Sequence, residues 1–360
     1  MEQRKPLTMQ AIATKIHDGE PLSLDDGVFL FRNVELHQVG SLADFTRKRL
    51  HGDTVRYVVN AHLNPTNVCQ VGCPLCAFGC SEDDSRAYTL ELDDILRRVD
   101  QAVAFGITQL HLVSSVHPKK PYRWYRNILQ AVHEKYPSLR LKAWTAVEIA
   151  NFAQLSGMSV REVLLDMRSV GLSSLPGGGA EIFAPGIRQR IAPDKIAADD
   201  WLAVHRTAHE LGIPTNASML FGHFETPEHR IEHLLRLREL QDETNGFDCF
   251  IPLVFHPKNT RLNVPPISPQ EILKTIAISR LMLRNIPHVK AYWVTLGESL
   301  AQIALSYGAD DFDGTVFEER IHHDAGSMVP PGLPEERLCE LVRGAGRSPW
   351  PEPRAPAGQR

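Results

Sequence analysis

The chain has 360 residues, 43% hydrophobic and 23% charged, a composition that can build a large core without disulfides. Lys plus Arg number 39 against 43 Asp plus Glu, a formal charge of −4, so the balance gives no reason to expect nucleic acid or an anionic membrane as partner. No apolar run approaches the roughly 20 residues a spanning helix needs, and MEQRKPLTMQAIATKIHDGE lacks the apolar stretch of a signal peptide, so a cytoplasmic location with reduced thiols is expected.

Residues 1–53 read as a helical extension. Positions 9–18 have amphipathic spacing, Ser23-Leu-Asp-Asp26 looks like a capping box for a segment through Phe31, and Ser41 is a candidate cap for a helix to Leu50. After His51-Gly-Asp-Thr54 an alternation begins. Strands are expected at 56–63, 109–113, 139–144, 171–175, 215–221, 249–255 and 289–294, with a short eighth near 311–313. Between them fall helical segments at 89–105, 122–136, 146–154, 159–170, 198–211, 227–241, 269–285 and 296–307. Seven or eight β/α units in series predict a parallel sheet, and residues 54–320 have the length of a closed (β/α)8 barrel. An open doubly wound sheet is the alternative, but no dinucleotide fingerprint follows the first strand. A C-terminal helical segment at 321–345 and a Pro-rich, disordered tail at 346–360 complete the division.

Four of the six cysteines lie in Cys69-Gln-Val-Gly-Cys-Pro-Leu-Cys-Ala-Phe-Gly-Cys80, with spacing C-x3-C-x2-C-x3-C. Cys69 follows the first strand directly, on the face where barrel enzymes keep their chemistry. Cys69, Cys73 and Cys76 suit three corners of a [4Fe–4S] cube whose fourth iron stays open. A closed four-cysteine cluster and a zinc site remain alternatives. Zinc sites, however, favour two separated pairs, and the ferredoxin run has a first gap of two and a Pro after its last Cys.

Other polar groups gather at strand ends, as a barrel site requires. His62, Asn64, Thr66 and Asn67 close the first strand; Ser114, Ser115 and His117 follow the second; Thr145 and Glu148 follow the third. The run Gly177-Gly-Gly-Ala-Glu181 follows the fourth, and its three glycines suggest a backbone close to a ligand, with Glu181 placed to accept from ribose hydroxyls. Asn216, Ser218, His223 and Glu225 belong to the fifth strand and its end; His256 and Asn259 follow the sixth. His322-His-Asp324 is a weak metal motif that reads better as helix surface.

The C-x3-C-x2-C run after a first barrel strand resembles the signature of the radical S-adenosylmethionine (SAM) superfamily. That resemblance implies a [4Fe–4S] cluster on Cys69, Cys73 and Cys76, SAM chelated by the open iron, and reductive cleavage of SAM to a 5′-deoxyadenosyl radical. It implies that Cys80 is a bystander, because its ligation would close the cluster. It also places the Phe78 backbone beside the adenine, aligns Gly222 and Glu225 with the adenine-side strand motif, and makes reduced flavodoxin or ferredoxin the electron donor.

Within the superfamily, several segments resemble aminofutalosine synthase (aminodeoxyfutalosine synthase) of the futalosine route to menaquinone. They are His62-Leu-Asn-Pro-Thr-Asn-Val-Cys69, Lys142-Ala-Trp-Thr-Ala-Val-Glu148, Leu175-Pro-Gly-Gly-Gly-Ala-Glu-Ile-Phe-Ala-Pro185, Gly212-Ile-Pro-Thr-Asn-Ala-Ser-Met-Leu-Phe-Gly-His223, Phe250-Ile-Pro-Leu-Val-Phe-His-Pro257 and Gly308-Ala-Asp-Asp-Phe-Asp-Gly-Thr315. Cyclic dehypoxanthine futalosine synthase and deazaflavin synthase subunits share the PGGGAEI piece and are the alternatives. The family carries Gly-Gly before His-Pro after the second strand, where this chain has Ser114-Ser115. The implied reaction adds the adenosyl radical to the vinyl ether of 3-[(1-carboxyvinyl)oxy]benzoate, with loss of CO2, giving 6-amino-6-deoxyfutalosine. The two carboxylates of that substrate need partners, for which His62, His117, Arg188, Arg190, Lys195, His223 and His256 are candidates.

Overall fold

The computed structural model describes residues 7–352. Ten strands follow one another along the chain: β1 (Thr54–Val58), β2 (Asn60–Leu63), β3 (Gln109–Leu112), β4 (Arg140–Ala143), β5 (Leu172–Ser174), β6 (Thr215–Phe221), β7 (Phe247–Val254), β8 (His288–Val289), β9 (Asp311–Gly314) and β10 (Ser348–Pro351). β2, β3, β4 and β5 pair in that order, all parallel, and so do β6, β7 and β8. Single bridges join the pieces, Leu175 to Thr215 between β5 and β6 and Lys290 to Asp311 between β8 and β9. β9 pairs with β1, its register shifting between Arg56 and Val58, and β1 and β2 are one strand interrupted at Val59. The hydrogen-bonded circuit therefore closes into eight strands, the predicted (β/α)8 barrel.

The alternation within each strand explains which side chains face the helices. On β3, Leu110 and Leu112 are buried; on β4, Leu141 and Ala143. They share a core with Ile95 and Val99 of the helix Leu92–Ala104 and with Tyr125, Ile128, Leu129 and Val132 of the helix Tyr122–Lys135. The residues between them, His111 and Lys142, point to the other side, the barrel lumen. Low in that lumen the Arg56 guanidinium binds both Asp311 (2.7 Å) and Asp248 (2.9 Å), and Lys290 pairs with Asp313. Arg280 and His288 hold the buried Asp310 carboxylate at 2.6 and 2.5 Å.

Helices Met9–Asp18, Leu24–Asn33 and Leu36–His51 form the N-terminal extension. Ser23 and Asp26 make the expected capping box. Ser41 caps nothing. It lies inside Leu36–His51, which starts five residues earlier because Val39, Leu42 and Ala43 pack into the core beside the helix Pro269–Met282. The strand expected at 289–294 ends at Val289. The chain then turns helical over Trp293–Leu296, and the Trp293 indole donates to the Gly314 carbonyl at 2.8 Å. The tail also differs from expectation. Ser348–Pro351 is β10, an edge strand on β1, and Glu352 binds Arg140 at 2.7 Å. An edge position tolerates Pro349 and Pro351, which cannot donate. The rest of that tail, 353–360, lies outside the described residues. Among the described residues no helix is long and apolar enough to cross a membrane.

Candidate active site

The cysteine loop is pinned by its own backbone. Cys69 N–H donates to the Cys80 carbonyl (2.9 Å) and Cys80 N–H to the Asn67 carbonyl (3.0 Å), closing the run into a loop. Neighbours hold it from outside: Gln70 N–H on Val116, Leu75 N–H on Ile191, Arg261 N–H on Pro74. Gly72 makes its turn at φ +60°, a left-handed conformation that glycine adopts without strain. A Cβ on Gly79 would lie 3.2 Å from the Cys69 Cβ and 3.6 Å from the Cys76 sulfur, so Cys69 and Cys76 converge beside that glycine. The Gly79 N–H donates to the Cys76 sulfur at 3.2 Å. Burial pushes the Cys73 thiol up to about 11, against the pull of the Lys195 charge. Cys80 is buried, with its sulfur 3.7 Å from the Asn67 carbonyl.

Beside this loop the ends of β3 and β4 meet. Glu148 is the third residue of the helix Ala146–Ser156 and closes a capping box with Thr145. One carboxylate oxygen takes the Thr145 N–H and hydroxyl (2.7 and 2.8 Å); the other takes the Ser114 N–H (2.7 Å). Burial nevertheless pushes this carboxyl up to about 7. Glu148 thus holds the Ser114 backbone in place, and its carboxylate is already committed within the protein. The Ser114 hydroxyl is buried and has no partner among the described residues. Ser115 and Phe78 are buried, Phe78 edge-on to Tyr88. His117 is buried too, its Nδ1 accepting from Lys119 N–H at 3.0 Å.

The glycine run is also required by close packing within the protein. A Cβ on Gly177 would sit 2.8 Å from the Asn216 carbonyl oxygen, one on Gly178 3.0 Å from a Thr145 methyl, and one on Gly179 2.4 Å from a Val147 methyl. These glycines let β6 and the Thr145 turn approach, so close packing accounts for all three. Arg188 is not free for a substrate. Its guanidinium spans Gly179, Ala180 and Ile196 carbonyls with four hydrogen bonds of 2.6–3.0 Å, bracing the loop that carries Glu181. Arg190 is exposed and stacks 3.3 Å over the Phe224 ring. Glu181, itself at φ +48°, forms a buried ion pair with Lys195. Burial alone would raise the Glu181 carboxyl; Lys195, Arg188 and His223 hold it below the ordinary range. The Lys195 charge also acts on Cys73, Cys76 and Glu148, so this pair stands between the cysteine loop and the Ser114 turn.

At the end of β6, His223 and Glu225 serve the turn that contains them. Glu225 accepts from the N–H groups of Gly222 (2.6 Å) and His223 (2.9 Å) and pairs with Arg230 at 2.6 Å. His223 places Nε2 3.0 Å from the Leu220 carbonyl and Nδ1 2.9 Å from a Glu225 carboxylate oxygen. Together the two side chains shape the Gly222 turn. His256 is tied through Nε2 to the Thr295 carbonyl at 3.0 Å. Burial would raise the Glu225 carboxyl, but His223, Arg230 and the Gly222 N–H bring it down to about 2. Its stabilisation is therefore complete above the unfolded value of about 4.5 and is lost as pH falls toward 2, roughly 3 kcal/mol in all. Glu225→Gln is expected to flatten that acid limb, read from urea midpoints between pH 5 and 3.

Four side chains that face the lumen line up in register across adjacent strands. His62 on β2 pairs with His111 on β3, His111 with Lys142 on β4, and Lys142 with Ser174 on β5. His62 Nε2 and His111 Nδ1 are 3.3 Å apart. Burial pushes His62 down to about 4 and His111 well below the usual imidazole range. His62 was expected at the site; His111 and Lys142 were not. Their signal was present in the alternation Leu110-His111-Leu112 and Leu141-Lys142-Ala143, a polar residue at each inward position of a buried strand.

Comparison with known proteins follows the same outline. Residues 63–237 match the model of the radical SAM superfamily, and residues 244–350 that of the CofH/MqnC C-terminal region. The chain is 43% identical to aminodeoxyfutalosine synthase of Thermus thermophilus, covering 94% of this chain and 92% of that one. It is 40% identical to 5-amino-6-(D-ribitylamino)uracil–L-tyrosine 4-hydroxyphenyl transferase of Archaeoglobus fulgidus, with 91% and 94% covered. Its fold matches the crystal structure of methylornithine synthase with a TM-score of 0.72 at 18% identity, over 94% of this chain and 97% of the other. A cysteine loop at the mouth of a parallel barrel and this kinship along nearly its whole length make the chain a member of the aminodeoxyfutalosine synthase family within the radical SAM superfamily.

Proposed function

We propose that this enzyme is an aminodeoxyfutalosine synthase. The observation that carries the reading is the loop Cys69–Cys76, three thiols held at the C-terminal mouth of the barrel. Their spacing suits a cluster better than a single ion. Here three cysteines fall in one eight-residue loop, the arrangement of a cluster loop, and not in the two separated pairs that a zinc site favours. In this reading Cys69, Cys73 and Cys76 hold a [4Fe–4S] cluster and Cys80 does not.

When bound, the cluster and SAM supply an adenosyl radical for addition to the vinyl ether of 3-[(1-carboxyvinyl)oxy]benzoate, with loss of CO2, giving 6-amino-6-deoxyfutalosine. The protein's part is placement and exclusion of water. The Ser114 hydroxyl and Ser115 stand where the resemblance puts the amino group of SAM, and the unpartnered Ser114 hydroxyl supplies a polar atom for it. The Phe78 backbone is the candidate adenine contact, and Glu181, anchored by Lys195, the candidate ribose acceptor. Glu148 and Glu225 act at one remove, by holding the Ser114 and Gly222 turns. Reduced flavodoxin or ferredoxin is the electron donor in this reading.

The test is a product assay. Reconstituted protein with SAM, a one-electron reductant and the enolpyruvyl benzoate is expected to release aminodeoxyfutalosine. Accumulation of 5′-deoxyadenosine in its place would transfer the chain to the hydrogen-abstracting relatives.

A further inference from the structure

The lumen holds donors without a partner among the described residues. Lys142 on the third strand of the circuit alternates with the outward Leu141 and Ala143, and Lys290, just past the seventh strand on the opposite side, bears on its charge. Lys290 is paired with Asp313 and Asp311. Lys142 is half-buried and has no hydrogen-bond or ion-pair partner among the described residues. The carboxylates nearest in effect, Glu352 and Asp248, are taken by Arg140 and Arg56. Even a half-buried ammonium without a partner is costly, and such groups persist where a ligand completes them.

His111, next to Lys142 in register, repeats the pattern: its Nε2 is buried with no partner among the described residues. Its Nδ1 faces His62 Nε2 at 3.3 Å, and both rings are kept neutral by burial. When His62 donates across that contact, His111 Nδ1 accepts and its proton sits on Nε2, a free donor on the strand next to Lys142. Ile251 and Leu253, half-buried on β7 on the far side of the lumen, offer apolar contact. A cation, a neutral N–H and an apolar wall suit an aromatic carboxylate.

We infer that Lys142 and His111 form the binding site for the ring carboxylate of the benzoate substrate, with His62 as the positioning residue that fixes the His111 tautomer. The inference rests on the proposed function and adds the orientation of the substrate. The cysteine loop caps the barrel mouth, so the vinyl ether points up toward it and the ring carboxylate down to the β2–β4 row. The chemistry favours the same orientation. The carboxylate that leaves as neutral CO2 would be held back by a tight cation, whereas a carboxylate retained in the product needs a permanent one.

Calorimetric binding to the reconstituted enzyme tests this with two acids. One is 3-[(1-carboxyvinyl)oxy]benzoate; the other is 2-phenoxyprop-2-enoate, the same vinyl ether without the ring carboxylate. Wild type is expected to prefer the diacid by about 10- to 100-fold. Lys142→Met should erase most of that preference and leave binding of the monoacid within about threefold, since it removes an unpaired charge at near-constant volume. His111→Gln, which cannot be confused with a folding failure at position 142, should weaken diacid binding about 10-fold. A Lys142→Met enzyme that keeps the preference, or weakens both acids equally, overturns the site while leaving the function standing if wild type makes product. A wild type that binds neither acid overturns the site together with the function it rests on.

Discussion

Anaerobically reconstituted protein carrying Cys69→Ala, Cys73→Ala or Cys76→Ala is expected to lose both the brown iron–sulfur chromophore and product formation, while Cys80→Ala keeps both. The asymmetry follows from where the four thiols stand. Cys69 and Cys76 converge on Gly79, and Cys73 is buried near the Lys195 charge, whereas the Cys80 sulfur lies against the Asn67 carbonyl. Removing one of three ligands leaves a cube with two protein anchors, too few to hold a cluster on a solvent-reachable loop. Removing Cys80 removes a weak sulfur hydrogen bond, while the loop closure rests on the Cys69 and Cys80 backbone bonds, which remain. Iron and sulfide content, read beside the visible spectrum, checks the prediction. Loss of iron from Cys80→Ala to the same degree as from Cys73→Ala would sink the three-plus-one division and point to a closed four-cysteine site.

Lys195→Met is expected to have the second largest effect. The ammonium is 17% exposed and the Glu181 carboxylate beneath it 9%. Its removal leaves that carboxylate buried without a direct ion-pair partner, a change that costs about 3–5 kcal/mol in comparable settings. It also takes a positive charge away from the place where three thiolates are proposed to carry negative charge. Both stability and cluster loading are therefore expected to fall. The double variant Lys195→Met/Glu181→Leu separates the two effects, since it removes both charges and fills the space. Thermal unfolding of the double variant should recover most of the lost stability, but SAM cleavage should not recover. Unchanged unfolding and unchanged SAM cleavage in Lys195→Met would remove the pair from the site.

The cysteine spacing was legible because cluster ligation is local: three thiols within eight residues can bind without help from distant chain. The order of strands was legible for a similar reason, since hydrophobic periodicity and short connections act within a segment. Thr215–Phe221 was read to the residue because it is buried on both faces and bounded by turn signals. The strand expected at 289–294 failed where a nonlocal partner, the Gly314 carbonyl, drew Trp293 into a helical turn. β10 escaped notice because a Pro-rich segment has no strand pattern of its own and is ordered only by the edge of β1.

By itself the sequence determined the cysteine loop, the barrel and the family, because motif spacing and periodicity are properties of neighbours along the chain. Which polar side chains are free was decided only by the tertiary structure. Arg188, His223 and Glu225 looked like ligands, yet the folded loop spends Arg188 on the Gly179, Ala180 and Ile196 carbonyls, and the turn that contains His223 and Glu225 ties them to its own backbone and to Arg230. Lys142 and His111 looked like ordinary strand residues, yet among the described residues the Lys142 ammonium and the His111 Nε2 have no partner inside the barrel. The reason is physical: a donor's availability depends on what remains beside it after folding, and closing eight strands into a circuit sets that at every strand together.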